Sequence, residues 1–269
     1  MARISIDIVD GGGRWEARDG TRVVGRLRAV TRPDRRVFLS FADCRDDAYA
    51  PLLERAATEL RRSPLYAWVN ERDEVTRRQL AGLGFVVSRR EHAYRIPVDP
   101  SRFRLSDAGP PPGIAVVSAA DADLDRLRLL DDTLRGRTPG TEGWRWRPSE
   151  FREETFSDGF HPATYQVAVE ERTGAYVGLV RLWMKATGPR FGCVGVLPAW
   201  RRTRVTYALL AAVFREVHRL GHTEVTGEID ATNRASNAIA ARAGAVRVGG
   251  FYELVHGARS RPAAVTVGP

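Results

Sequence analysis

The feature that most constrains this chain is a strand–loop–helix–strand–helix pattern between residues 194 and 244. An apolar run ending at Val196 leads through a basic loop into a long helix pattern, and Asn233 opens a second helix after another strand. The N–H groups at the start of a helix have no intrahelical partners, and the helix dipole adds positive charge there. The junction therefore predicts a binding seat for an anion such as a pyrophosphate.

The same order of elements occurs earlier in the chain. In the first half, a strand pattern at residues 65–69 is followed by a helix pattern from Glu74 and by Gly84-Phe85 before a last strand. In the second half, residues 225–229, residues 234–243 and Gly244-Ala245 repeat this order. Coincidence of helix and strand order is the alternative. We predict an α/β (α+β) protein of two tandem domains, residues 1–98 and 113–258, each a mixed, mostly antiparallel twisted sheet flanked by helices. A proline-rich linker at 99–112 and a flexible tail at 259–269 complete the prediction.

The two halves differ where the chemistry would lie. The first half has Asp43, Asp46 and Asp47 before its helix, and such carboxylates satisfy the helix dipole and repel phosphate. It also has Trp68 where the second half has Glu228. We therefore expect the first half to be a scaffold without an anion-binding loop.

Local patterns predict three details of the elements. Pro51 is expected near the start of the first long helix, where proline is favoured. Ser118 is expected to cap the first helix of the second half, with Asp121 in the capping-box position. Residues 136–160, rich in tryptophan and charge, are expected to be irregular.

Composition excludes several classes of protein. The net charge is +9, but Lys185 is the only lysine and the arginines are scattered among acidic residues, which disfavours a nucleic-acid binder. Cys44 and Cys193 are too few for a disulfide framework or a zinc site, so no metal is expected. No run approaches the ~20 apolar residues of a membrane helix. A cytoplasmic protein without membrane or nucleic-acid partners is the expectation.

The second half resembles the GNAT superfamily of acetyl-CoA-dependent N-acetyltransferases. The family pattern of a strand, Val-x-Pro-x-x-Arg, a loop, a helix, a strand with Glu and an Asn-capped helix matches an ordered set of segments. They are Val196-Leu-Pro198-Ala-Trp200-Arg201, Ala208-Leu209-Leu210, Glu228, Asn233-Arg-Ala-Ser236 and Gly244-Ala245. The resemblance covers residues 114 to 256, and weakly 14 to 96. It implies a tandem protein with a degenerate N-terminal half.

The resemblance implies an acetyl-CoA site at the junction, with the backbone N–H of Val196 polarising the thioester. The cofactor-binding residues it implies are Val194, Val196, Arg201, Arg202, Thr203, Arg204, Val205, Thr206, Asn233 and Ser236. Arg204 and Thr206 replace the two loop glycines of the family. We expect Arg204 to give up the positive φ that glycine permits and to add charge instead. The alternatives are that the arginines are only solvated and that Asn233 is only a helix cap.

Catalysis needs a base for the amine and a proton for the thiolate. In the strand at 223–230, Glu228 and Asp230 share a polar face opposite Val225 and Ile229. We predict Glu228 as the base and Asp230 as a second catalytic residue. The alternative is a merely solvated sheet face. The family's usual tyrosine is Ala240 here, so Tyr207, Tyr252 and water are the candidates, with Tyr252 carried as the catalytic candidate.

The acceptor side is predicted from an acidic, aromatic stretch. Asp131, Asp132, Glu142, Trp144 and Trp146 form the expected mouth for a cationic amine, or the tryptophans staple a loop to the core. The predicted function is transfer of acetyl from acetyl-CoA to a primary amine of a small molecule, such as a polyamine, an aminoglycoside-like or a peptide-like amine. The alternatives are a mycothiol-synthase-like acetyltransferase, a non-catalytic acyl-CoA-binding regulatory protein and, least favoured, an arginine-rich nucleic-acid binder. A monomer is favoured over a homodimer, since a tandem repeat can replace a dimer.

Overall fold

The computed structural model describes residues 4–9, 12–61, 64–99 and 109–257. The strands are β1 (Ser5–Ile8), β2 (Arg14–Asp19), β3 (Arg22–Thr31), β4 (Val37–Ala42), β5 (Leu65–Asn70), β6 (Val86–Pro97), β7 (Ile114–Ser118), β8 (Tyr165–Glu170), β9 (Tyr176–Lys185), β10 (Gly188–Val196), β11 (Glu224–Asp230) and β12 (Val246–His256). The helices are α1 (Tyr49–Leu60), α2 (Glu74–Gly82), α3 (Leu124–Arg135), α4 (Pro148–Thr155), α5 (Val205–Arg219) and α6 (Arg234–Arg242). Within the described ranges, no helix is both long and apolar enough to cross a membrane.

The chain forms two compact units, one of residues 1–90 and 251–269 and the other of residues 91–250. The division falls inside β6 and inside β12. Each half of the sequence therefore gives the end of its last strand to the other unit. The domain bounds 1–98 and 113–258 stay a prediction. Most of the expected linker, residues 100–108, and the expected tail, 259–269, lie outside the described residues.

The first unit contains a sheet in the order β1, β2, β3, β4, β5 and the end of β12. Its neighbouring strands are antiparallel, except that residues 37–39 of β4 run parallel to residues 65–67 of β5. Residues 251–256 of β12 pair with β5 and complete this sheet. Helices α1 and α2 supply Leu52, Ala56 and Leu80 to its buried core.

The second unit repeats this arrangement with β7, β8, β9, β10, β11 and residues 91–97 of β6. Among its described pairings only β10 and β11 are parallel. Both units thus have a mixed, mostly antiparallel sheet flanked by helices, which confirms the predicted fold class. The single parallel pair falls between the fourth and fifth strands of each half, because a helix carries the chain back there.

The caps of α2 and α6 show how closely the halves repeat. Asp73 accepts a hydrogen bond from the backbone N–H of Thr76 at 3.0 Å, and Asn233 accepts one from Ser236 at 3.1 Å. The two caps have nearly the same backbone, with φ −87° and −76° and ψ 75° and 77°. A short side-chain acceptor at this position satisfies an otherwise unpaired helix N–H in both halves.

Pro51 lies in the first turn of α1, as expected, because the helix begins at Tyr49 directly after a 3-10 turn at Asp46–Ala48. Two other local expectations differ from the structure. Asp123, not Ser118, caps α3 by accepting from the N–H of Arg126 at 2.9 Å. Ser118 instead accepts from the N–H of Ala120 and closes a turn, a local bond that competes with helix capping.

Residues 136–160, expected to be irregular, contain α4. This helix starts at Pro148, and the Glu150 carboxylate accepts from the backbone N–H of Arg147 at 3.3 Å. A proline in the first turn and a capping acid three residues after the cap are helix-start signals that the tryptophans and charges around them masked. With α3, this helix is inserted between β7 and β8.

Helices cover both faces of the second unit's sheet. On one face α5 buries Val205, Leu209 and Val213 against β9 and β11. On the other face α3 and α4 bury Leu127 and Phe151 against β8 and β9. Each such fully buried side chain contributes about 1.5–3 kcal/mol. The two packed faces hold β10 and β11 in fixed positions.

Candidate functional site

The second unit opens where β10 and β11 part. Their described backbone pairing consists of Arg190 with Thr226, although each strand continues for several residues beyond that point. In the described pairing, backbone hydrogen bonds therefore do not join the facing edges of Val194–Val196 and Glu228–Asp230. Strand edges left in this way bind extended ligands through main-chain hydrogen bonds.

The amides of Val194 and Val196 point into this opening. The N–H of Leu197 donates to the carbonyl of Val177 on β9 at 2.8 Å. Backbone N–H groups alternate between the two edges of a strand, so the amides of Val196 and Val194 lie on the edge away from β9. Both residues were predicted to bind the cofactor, and the strand register gives their amides a suitable direction.

The loop after β10 holds two arginines in the left-handed backbone region. Arg202 has φ 66° and Arg204 has φ 68°, and Arg204 is the N-cap residue of α5. The expectation that arginine gives up the positive φ of the family's glycine was therefore wrong, because Arg204 adopts it. A non-glycine residue in this region costs about 1–2 kcal/mol, and such strain is kept where the surrounding structure demands the conformation.

This backbone leaves the N-terminus of α5 open. The first helical hydrogen bond of α5 runs from Ala208 N–H to the carbonyl of Arg204, so the amides of Val205 and Thr206 lie ahead of the ladder. The Thr203 hydroxyl donates to the carbonyl of Trp200 at 2.5 Å and holds the loop. Arg204 makes no side-chain cap. Val205 is fully buried and Thr206 is half-buried, so the amide of Thr206 is the one that an anion at this helix N-terminus would meet.

The three loop arginines are free to meet an anion. Arg201, Arg202 and Arg204 are exposed, and no acidic side chain in the described part of the chain pairs with them. Solvation alone is the competing interpretation. Their convergence on one loop at a helix N-terminus nevertheless places guanidinium donors and backbone amides together.

The start of α6 is built around two asparagines. Asn233 caps the helix, which agrees with the alternative that this residue is a helix cap. The backbone carbonyl of Asn233 accepts a hydrogen bond from the Asn237 side chain at 2.9 Å. Asn237 Nδ2 also donates to the carbonyl of Asp230 at 2.9 Å. Ser236 is half-buried in the same turn. These bonds fix the first turn of α6 beside the end of β11.

Glu228 lies on the polar face of β11 as predicted. Val225 is fully buried against α5, whereas Glu228 is partly exposed on the other face. The Glu228 carboxylate accepts a hydrogen bond from Arg190 Nη2 at 2.5 Å. One carboxylate oxygen, Oε2, is thus held by a guanidinium. Arg190 was missed because its strand pairing with Thr226 is not visible in the sequence.

Asp230, the second predicted acid, has a local structural role. It is 5% exposed, and its Oδ1 accepts from the backbone N–H of Thr232 at 2.7 Å and from the Thr232 hydroxyl. This is the pattern of an Asx turn, which ends β11. Its catalytic role stays a prediction.

The tyrosines are distributed over both units. Tyr207 is exposed in the first turn of α5. Tyr252 belongs to the first unit, where the guanidinium of Arg90 lies 5.4 Å from its ring. Tyr94, on the exchanged part of β6, was not considered, yet its hydroxyl donates to Asn237 Oδ1 at 2.9 Å. Tyr94 reaches this turn because residues 91–97 of β6 pair with β11, and no local pattern in the sequence reveals that pairing.

Most of the residues predicted on the acceptor side hold a loop to α3. The Asp131 carboxylate, fully buried, accepts from Arg135 Nε and from Trp146 Nε1, each at 2.7 Å. Asp132 accepts from the Trp146 backbone N–H at 3.0 Å, and burial raises the pKa of its carboxyl. These contacts match the stapling alternative.

Trp144 and Glu142 extend the same loop. Trp144 packs edge-on against Trp146, with ring centroids 5.3 Å apart, and the exposed Glu142 accepts from the N–H of Gly140. Their role in substrate binding stays a prediction.

A separate cavity of about 330 Å³ lies in the first unit. It is lined by Asp34, Arg35, Arg36, Val37, Arg61, Pro64 and Tyr66. None of these residues belongs to the predicted site.

Comparisons with known proteins identify the fold. No family model matches the sequence, and no curated protein matches it. A GCN5-related N-acetyltransferase from Sphaerobacter thermophilus superposes with a TM-score of 0.65 at 18% identity, over 92% of this chain and 81% of that one. A tandem GNAT protein from the clavulanic acid biosynthesis pathway gives 0.66 at 19% identity, over 90% and 81%. A GCN5-related N-acetyltransferase from Kribbella flavida gives 0.56 at 15% identity, over 94% and 90%.

These structures share the fold with this chain. The resemblance seen in the sequence is thus confirmed at the level of architecture: the chain has the tandem GNAT fold. At such identities the likeness concerns the fold, and activity has to be argued from the residues of this chain.

Proposed function

We propose that this protein is an N-acetyltransferase that moves an acetyl group from acetyl-CoA to a primary amine of a small molecule. The proposal is carried by one observation. Beyond Arg190 and Thr226 the backbone edges of β10 and β11 are not paired with each other, and β10 leads through the arginine loop to the N-terminus of α5. Amides along a strand edge suit the extended pantetheine arm, and the arginine loop with free helix amides suits the pyrophosphate.

The residues present fit acetyl-CoA. Arg201, Arg202 and Arg204 would hold phosphate oxygens through their guanidinium groups, and Thr206 through its backbone amide. When bound, acetyl-CoA supplies a thioester carbonyl that is open to attack by an amine. The N–H of Val196, fixed on the edge of β10, is the donor that would polarise that carbonyl.

Glu228 is the proposed base. Its Oε2 is held by Arg190, and Oε1 would take a proton from the amine directly or through a water. The protonated amine is not a nucleophile, so removal of this proton has to precede attack. The parting of β10 and β11 holds both reactants in one opening, which replaces a bimolecular encounter by a fixed geometry.

A non-catalytic acyl-CoA-binding protein is the second candidate. Ala240, only 3% exposed, stands where the resemblance expects the proton-donating tyrosine. The ion pair of Glu228 with Arg190 also occupies the proposed base in part. A protein that only binds acyl-CoA would keep the arginine loop but would need neither a proton-donating tyrosine nor an unpaired base.

One experiment separates the two candidates. Purified protein is mixed with acetyl-CoA and primary amines, and the release of free thiol is followed together with calorimetric binding of CoA. Amine-dependent thiol release supports the transferase. CoA binding without thiol release for any amine overturns it in favour of the binding protein, and the absence of CoA binding overturns both.

A further inference from the structure

Trp183 on β9 is surrounded by cations. Arg181, Lys185 and Arg190 carry charges 4.7, 5.6 and 5.7 Å from its ring centroid. Arg181 and Lys185 lie two residues to either side of Trp183, on the same face of the strand, and Arg190 is its pairing partner on β10. We call Arg181, Trp183, Lys185 and Tyr165 the cationic face.

Buried donors on this face lack acceptors. Arg181 is 2% exposed and Tyr165 1% exposed, and the two pair directly across β8 and β9. Within the described residues, Arg181 Nη1, the Tyr165 hydroxyl and Trp183 Nε1 are buried without a hydrogen-bond partner. An unsatisfied buried polar group is destabilising, and such groups are usually satisfied by water or by a ligand.

The neighbouring acids neutralise the face only in part. Asp131 is already bonded to Arg135 and Trp146 through Oδ1, although its Oδ2 has no partner. Glu154 lies 3.7 Å from Arg181 and is 40% exposed. Glu228 is held by Arg190. No carboxylate among the described residues pairs with the exposed Lys185, and the face therefore keeps an excess of positive charge.

The geometry of the face is fixed against β10. A Cβ atom on Gly192 would lie 2.7 Å from Trp183 Cζ3, so the indole packs directly on the backbone at the bulge between Phe191 and Cys193. Arg190 contacts both Trp183 and Glu228. The cationic face thus adjoins the proposed base through one side chain.

We propose that the acceptor amine also carries an anionic group, a carboxylate or a phosphate, which binds the cationic face while the amine meets Glu228. Acceptor oxygens would satisfy Arg181 Nη1, Trp183 Nε1 and the Tyr165 hydroxyl, and the charge would meet Lys185. This assignment rests on the proposed transferase function. It disfavours a polyamine, whose charges the face repels.

A binding experiment tests the face without acetylation. Tryptophan fluorescence is followed while 3-aminopropanoate, 3-aminopropanamide, O-phosphoethanolamine or ethanolamine is added. Each anionic member should bind at least about tenfold more tightly than its neutral partner, the effect of one charge-assisted contact. The signal should vanish in Trp183→Phe. Which of the two anions binds more tightly distinguishes carboxylate from phosphate.

Two variants locate the effect. Lys185→Ala removes an exposed charge without disturbing the core and should weaken binding of the anionic members several-fold, whereas Arg172→Ala, on an exposed arginine elsewhere in the unit, should not. Arg181→Gln should abolish the preference, but Arg181 also bonds the carbonyl of Glu154, so Lys185→Ala carries the test if that variant unfolds. Equal binding of charged and neutral members, or tighter binding of 1,4-diaminobutane, overturns the proposal.

The same compounds as acceptors separate this inference from the proposed function. With acetyl-CoA present, kcat/KM should favour the anionic amines by at least about tenfold, and Lys185→Ala should reduce that preference. Acetylation without the preference overturns this inference and leaves the transferase standing. Anion binding without thiol release from any amine supports the cationic face and overturns the transferase.

Discussion

Arg190 Nη2 lies 2.5 Å from Glu228 Oε2, and this ion pair joins β10 to β11 at the point where their backbone pairing ends. The side chains are partly exposed, at 38% and 20%, so the pair is reachable from the opening. It holds the carboxylate in one orientation, which a proton acceptor needs before an amine arrives.

Glu228→Gln should lower kcat by about 10²–10⁴-fold, the usual contribution of a positioned general base, while CoA affinity stays unchanged. Amine-dependent thiol release and calorimetry measure the two quantities. Glu224→Gln is the matched control, because Glu224 shares the strand and its polar face but lies at its start. Normal turnover in Glu228→Gln would remove this residue from the reaction.

Arg204 separates side-chain from backbone binding of CoA. Both Arg204→Ala and Arg204→Gly lose the guanidinium and should weaken CoA binding about tenfold, the effect of one charge-assisted contact. Glycine adopts φ 68° without the cost of about 1–2 kcal/mol that alanine retains, so the glycine variant should bind better than the alanine variant.

Calorimetry with CoA measures both affinities, and Arg242→Ala, on an exposed arginine of α6, is the control. Unchanged affinity in both Arg204 variants would remove the Arg204 side chain from CoA binding.

Tyr94→Phe should reduce kcat about tenfold with little change in KM for acetyl-CoA, if the Tyr94 hydroxyl bound to Asn237 supplies the proton of the departing thiolate. A merely structural hydroxyl would lower stability by about 1 kcal/mol and leave the pH profile of kcat unchanged. The alkaline limb of that profile is therefore the deciding measurement. Tyr207→Phe, in the first turn of α5, serves as the comparison.

Gly192→Ala should destabilise the protein by about 1–3 kcal/mol, the usual cost of overpacking. The added Cβ would lie 2.7 and 2.8 Å from two atoms of the Trp183 ring, and the rigid indole has to move. Urea unfolding measures the loss. Gly82→Ala is the control, since no atom lies within 4 Å of its added Cβ. A neutral Gly192→Ala would show that Trp183 is mobile.

Cys193 should be nearly unreactive at neutral pH. Burial raises the pKa of its thiol from 9.0 to about 11, so the thiolate forms only as the pH approaches that value. Because the thiolate is the nucleophile, alkylation at pH 8 should be about a hundredfold slower in folded than in urea-unfolded protein. Mass spectrometry of a Cys44→Ser variant follows Cys193 alone. Cys193 is half-buried, and equal rates in both states would contradict the raised pKa of its thiol.

Local patterns predicted the elements that local interactions determine. Asn233 caps α6 as expected, since a side-chain oxygen three residues before a free N–H acts within one turn. The alternation around Glu228 predicted the polar face of β11, because the period of a strand is independent of its partners. The order of elements from β10 to α6, and with it the fold, followed from these signals.

Long-range relationships were not predictable in this way. Arg190 meets Glu228 across a parallel pair, and Tyr94 reaches Asn237 from a strand in the other half of the sequence. The positive φ of Arg204 runs against the preference of its residue type and is imposed by the strand and helix on either side. Each depends on tertiary structure that no window of sequence contains.

The exchange of strand ends sets an order of events during synthesis. Strand β5 lacks its second neighbour until residues 251–256 are made, and these leave the ribosome long after the rest of the first unit. Until then the edge of β5 is an open template for pairing with other chains. The first half of the gene therefore does not encode a finished folding unit, and neither half is free to be lost or exchanged by recombination on its own.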